Sequence, residues 1–92
     1  MESTLERKIK KLFEVRGGKF YKWVSPGVVG VPDRIGLLPG GRIMFIEVKN
    51  PDKSGRLSKR QAKEIENLKR LGFEAYVIDS IEEMRRIIDE QS

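Results

Sequence analysis

The chain contains neither cysteine nor histidine. The first absence removes disulfides, thiolate metal sites and cysteine nucleophiles. The second removes imidazole ligands and the base of Ser-His and Cys-His triads. Any metal must then be held by oxygen donors, which favours Mg²⁺ or Mn²⁺ over zinc. Long apolar runs are also missing. None reaches the ~18 residues of a membrane span, and the charged N-terminus does not read as a secretory signal. A thiol-free chain fits a reducing compartment such as the cytoplasm. Apolar residues are sparse, 38% against 36% charged. The 92 residues therefore form one domain, 1–92, whose modest core would benefit from further burial in an oligomer.

Positive charge is plentiful and unevenly placed. Residues 1–70 hold 17 Lys and Arg against 8 Asp and Glu, a net +9, while residues 71–92 hold 2 against 6, a net −4. A basic body with an acidic end points to a polyanion partner.

Periodicity gives the elements. Leu5, Ile9, Leu12 and Phe13 form one apolar stripe on a helix from Ser3 to about Arg16, opened by a Ser3/Glu6 capping box and closed by Gly17-Gly18. Lys19–Val24 reads as a strand, followed by a Gly- and Pro-rich loop to Pro32. Asp33–Leu38 and Arg42–Lys49 read as an antiparallel hairpin around Pro39-Gly40-Gly41. A second helix runs from Ser58 to about Leu71, with Ala62, Ile65 and Leu68 inward. A strand at Phe73–Ile78 and a helix from Ser80 to about Asp89 complete the order αβββαβα. The crossover helix makes the last two strands parallel, so the expected fold is α/β, a mixed four-stranded sheet flanked by helices.

Three charges intrude on this apolar framework. Asp33 opens one strand of the hairpin, and Glu47 and Lys49 sit near the end of the other, on the face shared with Ile43 and Phe45. Because both faces of that strand are apolar, it should be covered on both sides. A Glu–Lys pair at a strand end and a turn aspartate after proline would each explain one intrusion. The hairpin, however, brings position 33 opposite positions 47–49. Two carboxylates meeting there repel unless a cation lies between them, and a hard divalent ion takes oxygen ligands from both.

Two helical residues fit the same place. Glu6 lies roughly 60–75° from the centre of its helix's apolar stripe, at the edge of the buried face, whereas Glu14 lies on the far side. Gln61 falls between Ile65 and Leu68 on the apolar face of the second helix, where an amide without partners would cost ~1–3 kcal/mol. Around it Lys53, Arg56, Lys59, Arg60 and Lys63 crowd a helix N-terminus whose dipole disfavours cations, a pattern suited to phosphate.

Pro32-Asp33 followed by Glu47-x-Lys49 matches the PD-(D/E)XK nuclease signature. The surrounding Lys22-Trp23, Ser25-Pro26-Gly27, Gly30-Val31-Pro32-Asp33-Arg34, Pro39-Gly40-Gly41-Arg42, Glu47-Val48-Lys49 and Ser58-x-x-Gln61 resemble the VRR-NUC family, the virus-type replication–repair nucleases, from Leu5 to about Ser80. The resemblance implies a restriction-endonuclease-like αβββαβ(α) core and a Mg²⁺- or Mn²⁺-dependent endodeoxyribonuclease. Asp33 and Glu47 would bind the metal, with the Val48 carbonyl completing its inner shell and Glu6 touching the metal or its water. Lys49 would position or activate the attacking water, and Gln61 would join the catalytic set. Lys22 and Arg34 would join the basic residues in binding DNA. Short members resemble homodimers that cut branched DNA such as four-way (Holliday) junctions. The competing readings are a non-catalytic nucleic-acid-binding module and a helper subunit of a larger replication or repair complex.

Overall fold

The computed structural model describes residues 3–49 and 57–90. The expected Lys53 and Arg56 contacts lie outside the described residues. Helix α1 (Thr4–Val15) is followed by strands β1 (Lys19–Lys22), β2 (Arg34–Leu38) and β3 (Arg42–Val48). Helix α2 (Lys59–Arg70), strand β4 (Glu74–Ile78) and helix α3 (Ile81–Glu90) complete the order. The sheet order is β1-β2-β3-β4. The first three strands form an antiparallel meander, and β4 pairs with β3 in parallel, as the crossover requires.

The Ser3/Glu6 capping box forms in full and starts α1. A second box, Ser58 with Gln61, starts α2. At Ser80 the hydroxyl accepts from the Glu83 backbone N–H, and the Glu83 carboxylate pairs with Arg86. β1 is shorter than expected. Beyond Lys22 only the Trp23 N–H continues the pairing, donating to the Asp33 carbonyl at 3.0 Å, before Ser25-Pro26 turns the chain away.

Alternation divides the sheet cleanly. Phe20, Met44, Ile46 and Ile78 face α1 and α3 and form the main core with Ile9, Phe13, Met84 and Ile87. Gly36 lies on this face because the Phe13 ring occupies its side-chain position; a Cβ there would stand 2.4 Å from the ring. The opposite face carries Phe45, flanked by Trp23 and Phe73 at ring-centroid distances of 5.8 and 5.9 Å. Helix α2 packs over β4 and buries Ile65. The expectation that β3 is covered on both sides holds only in part, since Ile43, Phe73 and Val77 remain exposed there. Ala62 also departs from its expected inward position. The inward row of α2 is Gln61, Ile65 and Leu68, and the ~100° step per residue carries Ala62 out to solvent.

At the far end of the core face, Arg42 makes a bidentate pair with Glu74 at 2.8 and 2.8 Å and donates to the Ile87 and Ile88 carbonyls at the end of α3. The Tyr76 hydroxyl donates to Glu74 at 2.6 Å. Burial and this bond push the Tyr76 phenol up to about 12, and the Arg42 hydrogen bond holds the Glu74 carboxyl below its usual range. Arg42→Met should therefore destabilise the fold by about 3 kcal/mol, lowering Tm by about 12–24 °C. A carboxyl depressed in the folded state contributes stability above its unfolded pKa and loses it as pH falls through the folded value. The gap between wild type and variant in thermal melts should accordingly narrow on acidification through the carboxylate range.

Candidate active site

The register pairs Arg34 with Ile46, so one further step sets Asp33 opposite Glu47. Asp33 lies just before β2 and Glu47 one residue short of the end of β3, so both stand at the same end of the hairpin. Glu47 is largely enclosed, its side chain 12% exposed, while Asp33 is open at 52%. Burial raises the Glu47 pKa above its ordinary value, and the Asp33 charge raises it further, against the opposing Lys49 and Arg34. The two carboxylates are thus a strained anionic pair that a cation would relieve.

Gln61 holds the other half of the site. Its Nε2 donates to Glu47 Oε2 at 3.1 Å, and its Oε1 accepts from Lys49 Nζ at 3.3 Å. The same Oε1 accepts from the Ser58 N–H at 3.0 Å, so the capping box that starts α2 also fixes the amide's orientation. Lys49 Nζ stands 3.9 Å from Glu47 Oε2. Its backbone N–H donates to the Ile78 carbonyl, extending the parallel pairing and anchoring the residue beyond β3. Val48 ends β3 with its side chain against the core.

Glu6 and Arg34 form a layer beneath this constellation. Arg34 is the one buried charged residue among the described residues, 8% exposed. Its guanidinium donates to Glu6 Oε2 at 2.7 Å and to the Asp33 carbonyl at 3.2 Å, and also pairs with the Asp33 carboxylate at 3.2 Å. The expectation that Arg34 faces DNA is therefore corrected. Asp33 takes the open face, and alternation turns the next side chain into the core, where Glu6 receives it. Glu6 has both oxygens engaged, Oε1 by the Ser3 N–H and Oε2 by Arg34. The buried Glu6–Arg34 tie is the feature of the site that the sequence-based expectations missed. Its signal was available in Arg34's place directly after Asp33 and in Glu6's place at the edge of a buried stripe.

No group of three or more Asp or Glu close enough to hold a metal occurs among the described residues. Asp33 and Glu47 offer two carboxylates at directly opposite positions. That suits Mg²⁺, which is commonly held by one or two carboxylates and keeps several waters. Of the expected DNA contacts, Lys22, Lys59, Arg60 and Lys63 are exposed. The last three line a cleft between α2 and the loop at Gly27–Val29.

Comparison with known proteins identifies the family and the fold. The VRR-NUC domain matches residues 4–82. A protein of Acyrthosiphon pisum secondary endosymbiont phage 1, named "Putative nuclease p44", is 39% identical over 79 residues, covering 86% of this chain and 83% of that one. A solved VRR-NUC domain superposes with a TM-score of 0.81 at 28% identity, covering 96% of this chain and 94% of its own. A second VRR-NUC domain protein shares the fold at a TM-score of 0.63 and 17% identity, covering 98% and 89%. The chain belongs to the VRR-NUC family of nucleases.

Proposed function

We propose that the protein is a Mg²⁺- or Mn²⁺-dependent endodeoxyribonuclease that hydrolyses branched DNA. The observation that carries the reading is the Gln61 clasp, one amide fixing both Glu47 and Lys49 opposite Asp33. Asp33, Glu47 and the Val48 carbonyl would hold the metal. When bound, it would neutralise the carboxylate pair and supply Lewis-acid stabilisation of charge at the phosphate.

The chain's own groups do the rest. Lys49, held by Gln61, donates a hydrogen bond to the attacking water or to a phosphate oxygen and offsets the negative charge that grows there. Gln61 keeps Lys49 from collapsing onto Glu47 by taking a hydrogen bond from one and giving one to the other. Arg34 and Glu6 hold Asp33 from below, so the carboxylate is placed before substrate arrives. Lys22, Lys59, Arg60 and Lys63 draw in the phosphate backbone, and affinity should fall steeply with salt.

A homodimer acting on both strands of a four-way junction, in the cytoplasm of a bacterial or phage-infected cell, completes the proposal. The exposed Tyr21, Ile43, Phe73 and Val77 supply apolar surface that a second copy would cover. One panel tests the whole: linear, flap and four-way junction DNA with Mg²⁺, Mn²⁺ or EDTA, alongside sizing in solution. Cleavage of a branched substrate with metal and none in EDTA is expected. Uncut DNA under every condition would overturn the enzyme reading in favour of a binding module, and a strict monomer would overturn the dimer.

A further inference from the structure

The cleft between α2 and the loop at Gly27–Val29 has a volume of about 530 Å³, the size of a small-ligand site. Its walls differ in chemistry. One wall, from the first turns of α2, presents Lys59, Arg60 and Lys63, with Glu64 as the single anion. None of the three cations has a carboxylate partner among the described residues. The other wall is the loop Gly27-Val28-Val29, whose valines are 49% and 66% exposed. The loop is seated firmly. Gly30, at φ +94°, lies so close to α2 that a Cβ there would stand 2.9 Å from the Arg60 carbonyl. Loop and helix thus form one unit across the cleft.

A cationic wall facing an apolar wall matches a ligand with phosphate on one side and an apolar surface on the other. Continuous duplex DNA offers the phosphate but hides the faces of its bases in the stack. Apolar side chains find a base face only where stacking is broken, at a branch point, a nick or an unpaired nucleotide. The position relative to the chemistry is also suitable. Arg60 directly precedes Gln61, which touches Glu47 and Lys49, and stands about 100° away around α2, so the cleft and the carboxylate site are built on the first turns of one helix.

We infer that this cleft receives an unstacked nucleotide at a DNA branch point, its phosphate against Lys59, Arg60 and Lys63 and its base or sugar against Val28 and Val29. The inference rests on the nuclease reading above and deepens it. Selection for branched DNA comes from the loop, while affinity for any DNA comes from the helix.

The test measures binding in EDTA, where no cutting occurs, to a four-way junction and a fork carrying 2-aminopurine at the branch, and to a linear duplex of equal length. Wild-type protein should raise the 2-aminopurine fluorescence. Val28→Ser/Val29→Ser should abolish that rise and weaken branched-DNA binding by about tenfold, with linear binding unchanged. Both positions are exposed, so the fold is retained, and circular-dichroism melts check it. Lys59→Gln/Arg60→Gln/Lys63→Gln should weaken both substrates and lower the salt slope by about 2–3. The inference is overturned if wild type gives no fluorescence rise, if the valine variant behaves as wild type, or if it loses branched and linear binding equally. Cleavage with Mg²⁺ or Mn²⁺ is scored separately. Protein that cuts DNA but fails these criteria keeps the nuclease reading and loses the cleft. Protein that meets them but never cuts keeps the cleft and loses the nuclease reading.

Discussion

Glu47→Gln should abolish metal-dependent cleavage, by on the order of 10³-fold or more, while making the metal-free protein more stable. The amide has the carboxylate's shape, and its oxygen can still accept from Gln61 Nε2, which bonds Glu47 at 3.1 Å. What it lacks is the charge. Burial and then Asp33 raise the Glu47 pKa above its ordinary value, a net effect that Lys49 and Arg34 only moderate. An acid raised in the folded state carries no penalty while protonated. It costs stability as pH rises from its unfolded pKa to its folded one, and the cost then stays constant. Wild-type protein in EDTA should therefore lose stability through that window relative to the variant, which should melt higher at neutral pH. Mn²⁺ should reverse the order, because only the intact carboxylate pair binds it and gains from that binding. Thermal melts with and without Mn²⁺, beside a cleavage assay, check both halves. A variant that melts lower than wild type in EDTA at neutral pH would contradict the cost of the enclosed charge, and one that gains as much from Mn²⁺ would contradict Glu47 as a metal ligand.

This trade of stability for function explains why the hairpin could be read in advance. Charges in an apolar strand are costly, so Asp33, Glu47 and Lys49 stood out in a sequence whose local signals otherwise agree. The turn at Pro39-Gly40-Gly41 set the register, and both glycines adopt the positive φ that such a turn uses. The order αβββαβα followed from periodicity, caps and turn residues, and the parallel β3–β4 pairing from the crossover helix between them. Residues whose surroundings come from elsewhere in the chain were harder to read. Arg34 looks like one more surface cation in a basic chain, and its burial depends on Glu6, 28 positions earlier. Ala62 looks like a core residue by type, and only the seating of α2 through Gln61, Ile65 and Leu68 turns it outward. Gln61 was legible as misplaced polarity on an apolar face. Its double use, as capping residue and as clasp between Glu47 and Lys49, required the third dimension.

The second large effect lies beneath the site. Arg34→Met should destabilise the protein by about 3–5 kcal/mol, because it leaves the enclosed Glu6 carboxylate without its counter-ion. A domain of this length has about 5–14 kcal/mol in all, so the variant should lie near the edge of folding. Adding Glu6→Gln should restore much of the loss. The amide removes the uncompensated charge, and its oxygen can still accept from the Ser3 N–H to cap α1. The rescued double variant separates structure from catalysis. In wild type, Arg34 also grips the Asp33 carbonyl and carboxylate, and that grip does not return with stability. Cleavage by the double variant should therefore remain about 10–100-fold below wild type, with weakened Mn²⁺ affinity, as expected for loss of a group that orients a ligand. Arg34→Lys in the wild-type background gives the complementary result: the charge is kept, but one ammonium cannot span Glu6 and Asp33 as the guanidinium does, so stability should be largely retained while Mn²⁺ affinity falls. Full activity and full Mn²⁺ affinity in the stable double variant would reduce Arg34 to a structural residue. Loss of both in a protein that melts as wild type does would establish it as the residue that holds Asp33 in place.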